Sequence, residues 1–256
     1  MKTTMLATTA LALIAGTAAA GPVQIQVTVE NLAPANSVTF APLRVGFHRG
    51  IYDAFDEGEA PTQAIISIAE GGSGADWFPD FAAADPTATL GTVVSNPAGP
   101  LLPGASATAV FNIDPSINRY FTFASMVVPS NDYFIGNDSA TQYQLLDESG
   151  NLLIDSITQY GRDVWDAGSE VDGPFGAAFL PGSVNDDRIA SFGTVEFDFE
   201  GLDVFNGLET AAGYIFDRQF GADDGIYRIS FAVVPTPGSA GLLAFAGLLA
   251  ARRRRA

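Results

Sequence analysis

Tyr120-Phe-Thr-Phe-Ala-Ser-Met-Val-Val128-Pro129-Ser-Asn-Asp132-Tyr-Phe-Ile-Gly-Asn-Asp138 is the stretch around which the rest of the chain is organised. The run Tyr120 to Val128 reads as a buried strand, and Pro129, with no N–H to give to a ladder, stops it. Ser130, Asn131 and Asp132 follow, whose oxygens favour turns, so the strand delivers a carboxylate to a sheet edge. Tyr133-Phe134-Ile135 is apolar again before Gly136-Asn137-Asp138 turns the chain. Asp132 and Asp138 therefore stand at two ends of one short apolar plug. A second acidic cluster, Trp165-Asp166-Ala167-Gly168-Ser169-Glu170, comes about thirty residues on. Oxygen-rich loops on rigid strands suit a hard cation such as Ca²⁺, which takes about 6–8 oxygen ligands. The same Asp and Asn residues serve equally as plain turn formers, and both readings stand at this point.

The chain has 256 residues, 47% of them hydrophobic, enough for one sizeable β domain or two small ones. Its net charge is −17, and setting aside Lys2 and Arg252 to Arg255 leaves 7 basic against 29 acidic residues. Such a surface repels nucleic acid and anionic lipid while attracting cations. The absence of cysteine excludes disulfides, thiolate metal sites and cysteine nucleophiles. With His48 as the single histidine, a His-rich zinc site or a His-dependent triad is disfavoured.

Working outward, Val23 to Glu30 alternates aliphatic and polar residues strictly, the period of a half-buried strand. Val38 to His48 reads as the next strand, with Pro42 predicting an edge or a bulge. Pro61-Thr62 before Ala64 to Glu70, closed by Gly71-Gly72, predicts a short helix. Gly71 to Gly104 reads as long loops with a weak strand near Leu90 to Val94. Ala105 to Asp114 alternates, with Ala109, Phe111 and Ile113 on one face and Asn112 and Asp114 on the other. Tyr143 to Ile154 predicts a hairpin turning at Glu148-Ser149-Gly150-Asn151. Phe192 to Phe199 and Ile226 to Val233 alternate again. Many short strands and few helices predict an all-β, antiparallel β-sandwich.

The two ends carry different devices. Met1 to Ala20 has one positive charge, a short apolar run and Ala18-Ala19-Ala20, the pattern of a secretory signal peptide. At the other end, residues 235–256 hold Pro235-Thr236-Pro237, an apolar run from Ser239 to Ala251 and Arg252 to Arg255. That run is marginal for spanning a bilayer, and its basic flank would retain the end on the cytoplasmic side.

Two resemblances emerge from these residues. The tail resembles the PEP-CTERM sorting signal of Gram-negative bacteria, with Thr236 in the place of the usual glutamate. This implies handling by an exosortase, transient inner-membrane association through the apolar segment, and delivery to the cell surface or extracellular polysaccharide. The body, 21–234, resembles the spondin N-terminal domain of F-spondin and mindin. Carrying that resemblance are Val45-Gly46-Phe47-His48, the helical Ile65 to Glu70, Ser125 to Gly136, and Trp165 to Glu170. Asn131 stands where animal members have proline, and the family's cysteines are absent.

The spondin resemblance implies a sandwich like that of calcium-and-lipid-binding domains, with Ca²⁺ or another divalent cation at one end. Asp132 and Asp166 match the family's two motif aspartates. Asp114 or Asn112 is the third ligand that the resemblance implies, and Asp138 is placed to assist. The expected function is that of a secreted, non-enzymatic module adhering to extracellular glycan or to a surface or matrix component. Two alternatives remain open: a hydrolase using a carboxylate pair such as Asp163 and Asp166 or Asp132 and Asp166, and a purely structural matrix component.

Overall fold

The computed structural model describes residues 21–235. The regions read as a leader and, apart from Pro235, as a sorting tail lie outside the described residues. In chain order come β1 (Val23–Asn31), β2 (Thr39–Phe40), β3 (Leu43–His48), α1 (Gln63–Gly71), α2 (Trp77–Ala84), β4 (Thr89–Val93), β5 (Ser106–Ile113) and β6 (Tyr120–Val128). After them follow β7 (Tyr133–Gly136), β8 (Ser156–Tyr160), β9 (Trp165–Asp166), β10 (Glu196–Phe197) and β11 (Gly225–Val234). Two antiparallel sheets result. The smaller has the order β5-β1-β11-β8; the larger runs β10-β9-β7-β6-β3-β4, with β2 also on β6. The expected antiparallel sandwich is therefore the fold.

Alternation explains the smaller sheet. Ile25, Val27 and Val29 of β1 are buried against the other sheet, while Gln24 and Thr28 face outward, bonded to Asn112 (3.1 Å) and Thr108 (3.0 Å) of β5. The larger sheet is covered on both faces, which is why Tyr120 to Val128 reads as a continuous run rather than an alternating one. Phe121, Phe123 and Val127 join the core between the sheets. Ala124 and Phe134 instead join a second cluster under the helices, with Ile65, Ile68, Trp77, Phe81 and Trp165.

Pro42 splits the expected Val38 to His48 strand into β2 and β3. α1 starts where its sequence predicts: the Thr62 hydroxyl accepts from Ile65 N (3.2 Å) and Gly72 caps the end in a left-handed conformation (φ 57°). α2 falls in the region read as loop. Its two turns bury only Trp77 and Phe81, a pattern hidden among Gly, Ala and Pro, and Pro79 fits because first-turn amides need no helical partner. The predicted 143–154 hairpin reduces to a turn with a single bridge, Leu146 to Leu152, and Phe192 to Phe199 contributes only β10.

Candidate metal centre

The rim of the larger sheet gathers the acidic residues. β7 and β9 pair with Tyr133 opposite Asp166 and Phe134 opposite Trp165, and β9 pairs β10 with Asp166 opposite Glu196 and Trp165 opposite Phe197. Side chains alternate across a strand, so Asp166 and Trp165 point to opposite faces. Asp198, one residue past β10, returns to the face of Asp166. Gly168, in a left-handed turn (φ 67°), reverses the chain after β9 against the backbone of Thr194, where a Cβ would sit 2.7 Å from the carbonyl oxygen.

Asn131 and Asp132 hold the loop that follows. Asp132 is fully buried, and its Oδ2 accepts from Ser169 N (2.6 Å), Glu170 N (2.9 Å) and Ser169 Oγ (3.1 Å). Asn131 accepts from Gly173 N (3.0 Å) and donates to the Phe175 carbonyl (3.2 Å). These anchors bring Asp172 to the Tyr133 hydroxyl, which lies 2.8 Å from Asp172 Oδ2 and 3.2 Å from Asp198 Oδ2. Carboxylate oxygens of Asp166, Asp172 and Asp198 all lie within 4.8 Å of one another. That is about twice a Ca²⁺–oxygen distance of 2.3–2.6 Å, so one cation can reach all three.

Electrostatics agree with crowding. Burial, then the neighbouring Asp132 charge, pushes Asp166 up to about 7, against the amide of Gly168 donating to it at 2.7 Å. Asp172, although exposed at the rim, is raised to about 6 by partial desolvation, with the charges of Asp132 and Asp198, despite its bond from Tyr133. Asp132 is raised chiefly by burial, against the hydrogen bonds from Glu170 and Ser169, and its Oδ1 has no hydrogen-bond partner. Buried oxygens without donors are uncommon and call for a cation or proton. Beside the cluster, Arg188 bridges Glu70 (3.1 Å) and Glu170 (3.3 Å), and burial still pushes Glu170 up to about 7. The residues fit a hard dication: all-oxygen donors, mutual repulsion, and an orphaned carboxylate oxygen alongside.

Of the residues singled out from the sequence, Asp166 lies in the cluster and Asp132 next to it. The structure does not bring the other three there. Asn112 points off the outer face of the smaller sheet toward Gln24. Asp114 caps the turn after β5, accepting from Ser116 N (3.0 Å) and Ser116 Oγ (2.6 Å). Asp138 accepts from Glu57 N (3.2 Å) past the far end of β7. The resemblance's third-ligand position falls on β5, which belongs to the other sheet, and Asp138 lies beyond the end of β7 opposite Asp132, so none of the three reaches the cluster. Asp163 closes a helical turn by accepting from Tyr160 N (2.8 Å). Sequence reasoning missed Asp172 and Asp198. The signals were present: Asp172 lies two residues beyond Glu170, and the alternation of Phe192 to Phe199 puts Asp198 on the face of Glu196.

Trp165 and Tyr133 are packing residues. Trp165 stacks on Phe197 at 3.6 Å between centroids, and Tyr133 is buried. His48 is buried and bonded rather than ligating: its Nδ1 accepts from Gly50 N (3.2 Å) and its Nε2 lies 3.0 Å from Thr122 Oγ1. Burial depresses it to about 4, offset in part by Asp85. Comparison with protein-family models and with curated proteins returns no match.

Proposed function

We propose that the chain is a secreted, non-enzymatic binding module of spondin type, whose rim takes up a divalent cation and whose partner is an extracellular glycan or another surface or matrix component. One observation carries the cation: the oxygens of Asp166, Asp172 and Asp198 lie within 4.8 Å, beside the orphaned Oδ1 of Asp132. A bound dication supplies the positive charge that relieves their repulsion, and the loop from Ser169 to Gly173 is thereby pinned to the β-sheet rim. Ca²⁺ is the ion to test first, because an all-oxygen donor set on loops suits a hard divalent cation. Melting measured with Ca²⁺ and with chelator tests this. Wild type melts higher with Ca²⁺, and Asp172→Asn loses most of the increment. Equal melting in both conditions overturns the cation.

A hydrolase is the second reading, favoured by the raised carboxyl of Asp166. A carboxyl raised to about 7 suits a general acid near neutral pH. Turnover of chromogenic glycosides that survives chelation and disappears in Asp166→Asn would replace the binding module with an enzyme.

A further inference from the structure

A cleft of about 320 Å³ is lined by Thr158 and Gln159 of the edge strand β8, Trp165 of β9, Phe197 of β10 and the turns that carry Asp138, Gln142 and Asp163. It lies on the Trp165 and Phe197 face of the β9–β10 ribbon, the reverse of the one that carries Asp166 and Asp198. Its size falls within the range of about 300–1,000 Å³ typical of ligand pockets.

The lining combines aromatic surface with hydrogen-bonding groups that the fold leaves half used. Phe197 is stacked on the buried Trp165 and is itself 48% exposed, so one layer of the stack remains available to a ligand. Asp138 and Asp163 each spend one carboxylate oxygen on a backbone amide, Glu57 N and Tyr160 N; neither second oxygen accepts from a described residue. Gln142 donates to the Tyr143 hydroxyl (3.1 Å), and its carbonyl oxygen is unspent. Gln159 lines the cleft, is 3% exposed, and its Oε1 has no hydrogen-bond partner.

An apolar ring face beside amides and carboxylates that accept matches a ligand with C–H faces and many hydroxyl donors. Two carboxylates in the lining of a chain with net charge −17 disfavour an anionic ligand. We propose that this cleft is a binding site for a neutral saccharide, with Phe197 as the stacking face and Gln142, Gln159, Asp138 and Asp163 as hydrogen-bonding partners. It deepens the glycan-binding reading above and rests on it, but it uses none of the residues of the cation cluster.

Tryptophan fluorescence of the full-length chain is the test, since Trp165 lines the cleft while the other tryptophan, Trp77 of α2, is fully buried and away from its lining. The probes are cellotetraose, chitotetraose and mannotetraose, with tetragalacturonate as the anionic and spermidine as the cationic comparison. At least one neutral probe is expected to give a saturable change, with Kd raised tenfold or more by Phe197→Ala and by Gln142→Ala. Phe197→Leu, which keeps apolar bulk without the aromatic face, is expected to weaken binding too. No response to any neutral probe, a response indifferent to these variants, or a response to spermidine alone overturns the assignment. Ca²⁺-dependent melting, read on the same samples, separates the two ideas. A retained Ca²⁺ shift without sugar binding sinks only the cleft; sugar binding without a Ca²⁺ shift sinks only the cation.

Discussion

Asp132 organises its surroundings although it bonds to nothing but one loop. Replacing it with alanine removes the acceptor for two buried amides and a hydroxyl, at a cost of about 2–4 kcal/mol, since donors left buried without partners carry their full desolvation penalty. Asp132→Asn is different: the amide carbonyl still accepts, while the charge that raises Asp166 and Asp172 disappears. In chelator, urea unfolding is expected to show Asp132→Ala well below wild type and Asp132→Asn at or above it. His48 gives an independent residue-scale check. As the single histidine, its ring resonance in NMR is expected to titrate near 4, not near 6.5, because burial disfavours the imidazolium. Asp132 and Asp166 were legible in the sequence as carboxylates at turn ends. Asp172 and Asp198 left only their spacing from Glu170 and Glu196 in the sequence; that they meet depends on the Asn131 and Asp132 anchors and the β9–β10 register.

At the scale of elements, the strands with clean alternation, β1, β5 and β11, could be read directly because one face of each meets solvent. β6 was read from its apolar continuity, which reflects cover on both faces. α2 could not be read, because it owes its place to a tertiary fit. Gly46 of β3 leaves space for the Phe81 ring of that helix; a Cβ there would lie 2.2 Å from the ring. Gly46→Ala is therefore expected to destabilise the chain by about 1–3 kcal/mol in urea unfolding, the usual cost of overpacking. Thr62→Ala at the start of α1 is expected to cost about 1 kcal/mol, the worth of an N-cap. Equal stability of either variant and wild type would mean that the helix in question contributes little to the fold.

For the molecule as a whole, the raised carboxyls set a pH dependence. Asp166 and Glu170 at about 7 and Asp172 at about 6 bind protons in the fold that the unfolded chain, with carboxyls near 4, has already released. Their contribution is fully present below about pH 4 and is lost as pH rises through 6 to 7. His48 acts oppositely below about 6.5, as a single imidazole against three carboxyls. Melting in chelator is accordingly expected to fall between pH 5 and 8. With Ca²⁺ the fall is expected to shrink or reverse, because the ion binds the deprotonated form.

Among the described residues, the first and last strands lie side by side, with Gln24 opposite Val234. A pull applied at both ends of the domain would thus load the β1–β11 ladder one hydrogen bond at a time, unzipping it rather than shearing it, and would meet little mechanical resistance. The same neighbourhood makes the domain a good subject for circular permutation: a short linker from Val234 to Val23 joins strands already in register, so new ends can be cut in an exposed turn such as Glu148-Ser149. A tether at either end would hold the sandwich by the same corner.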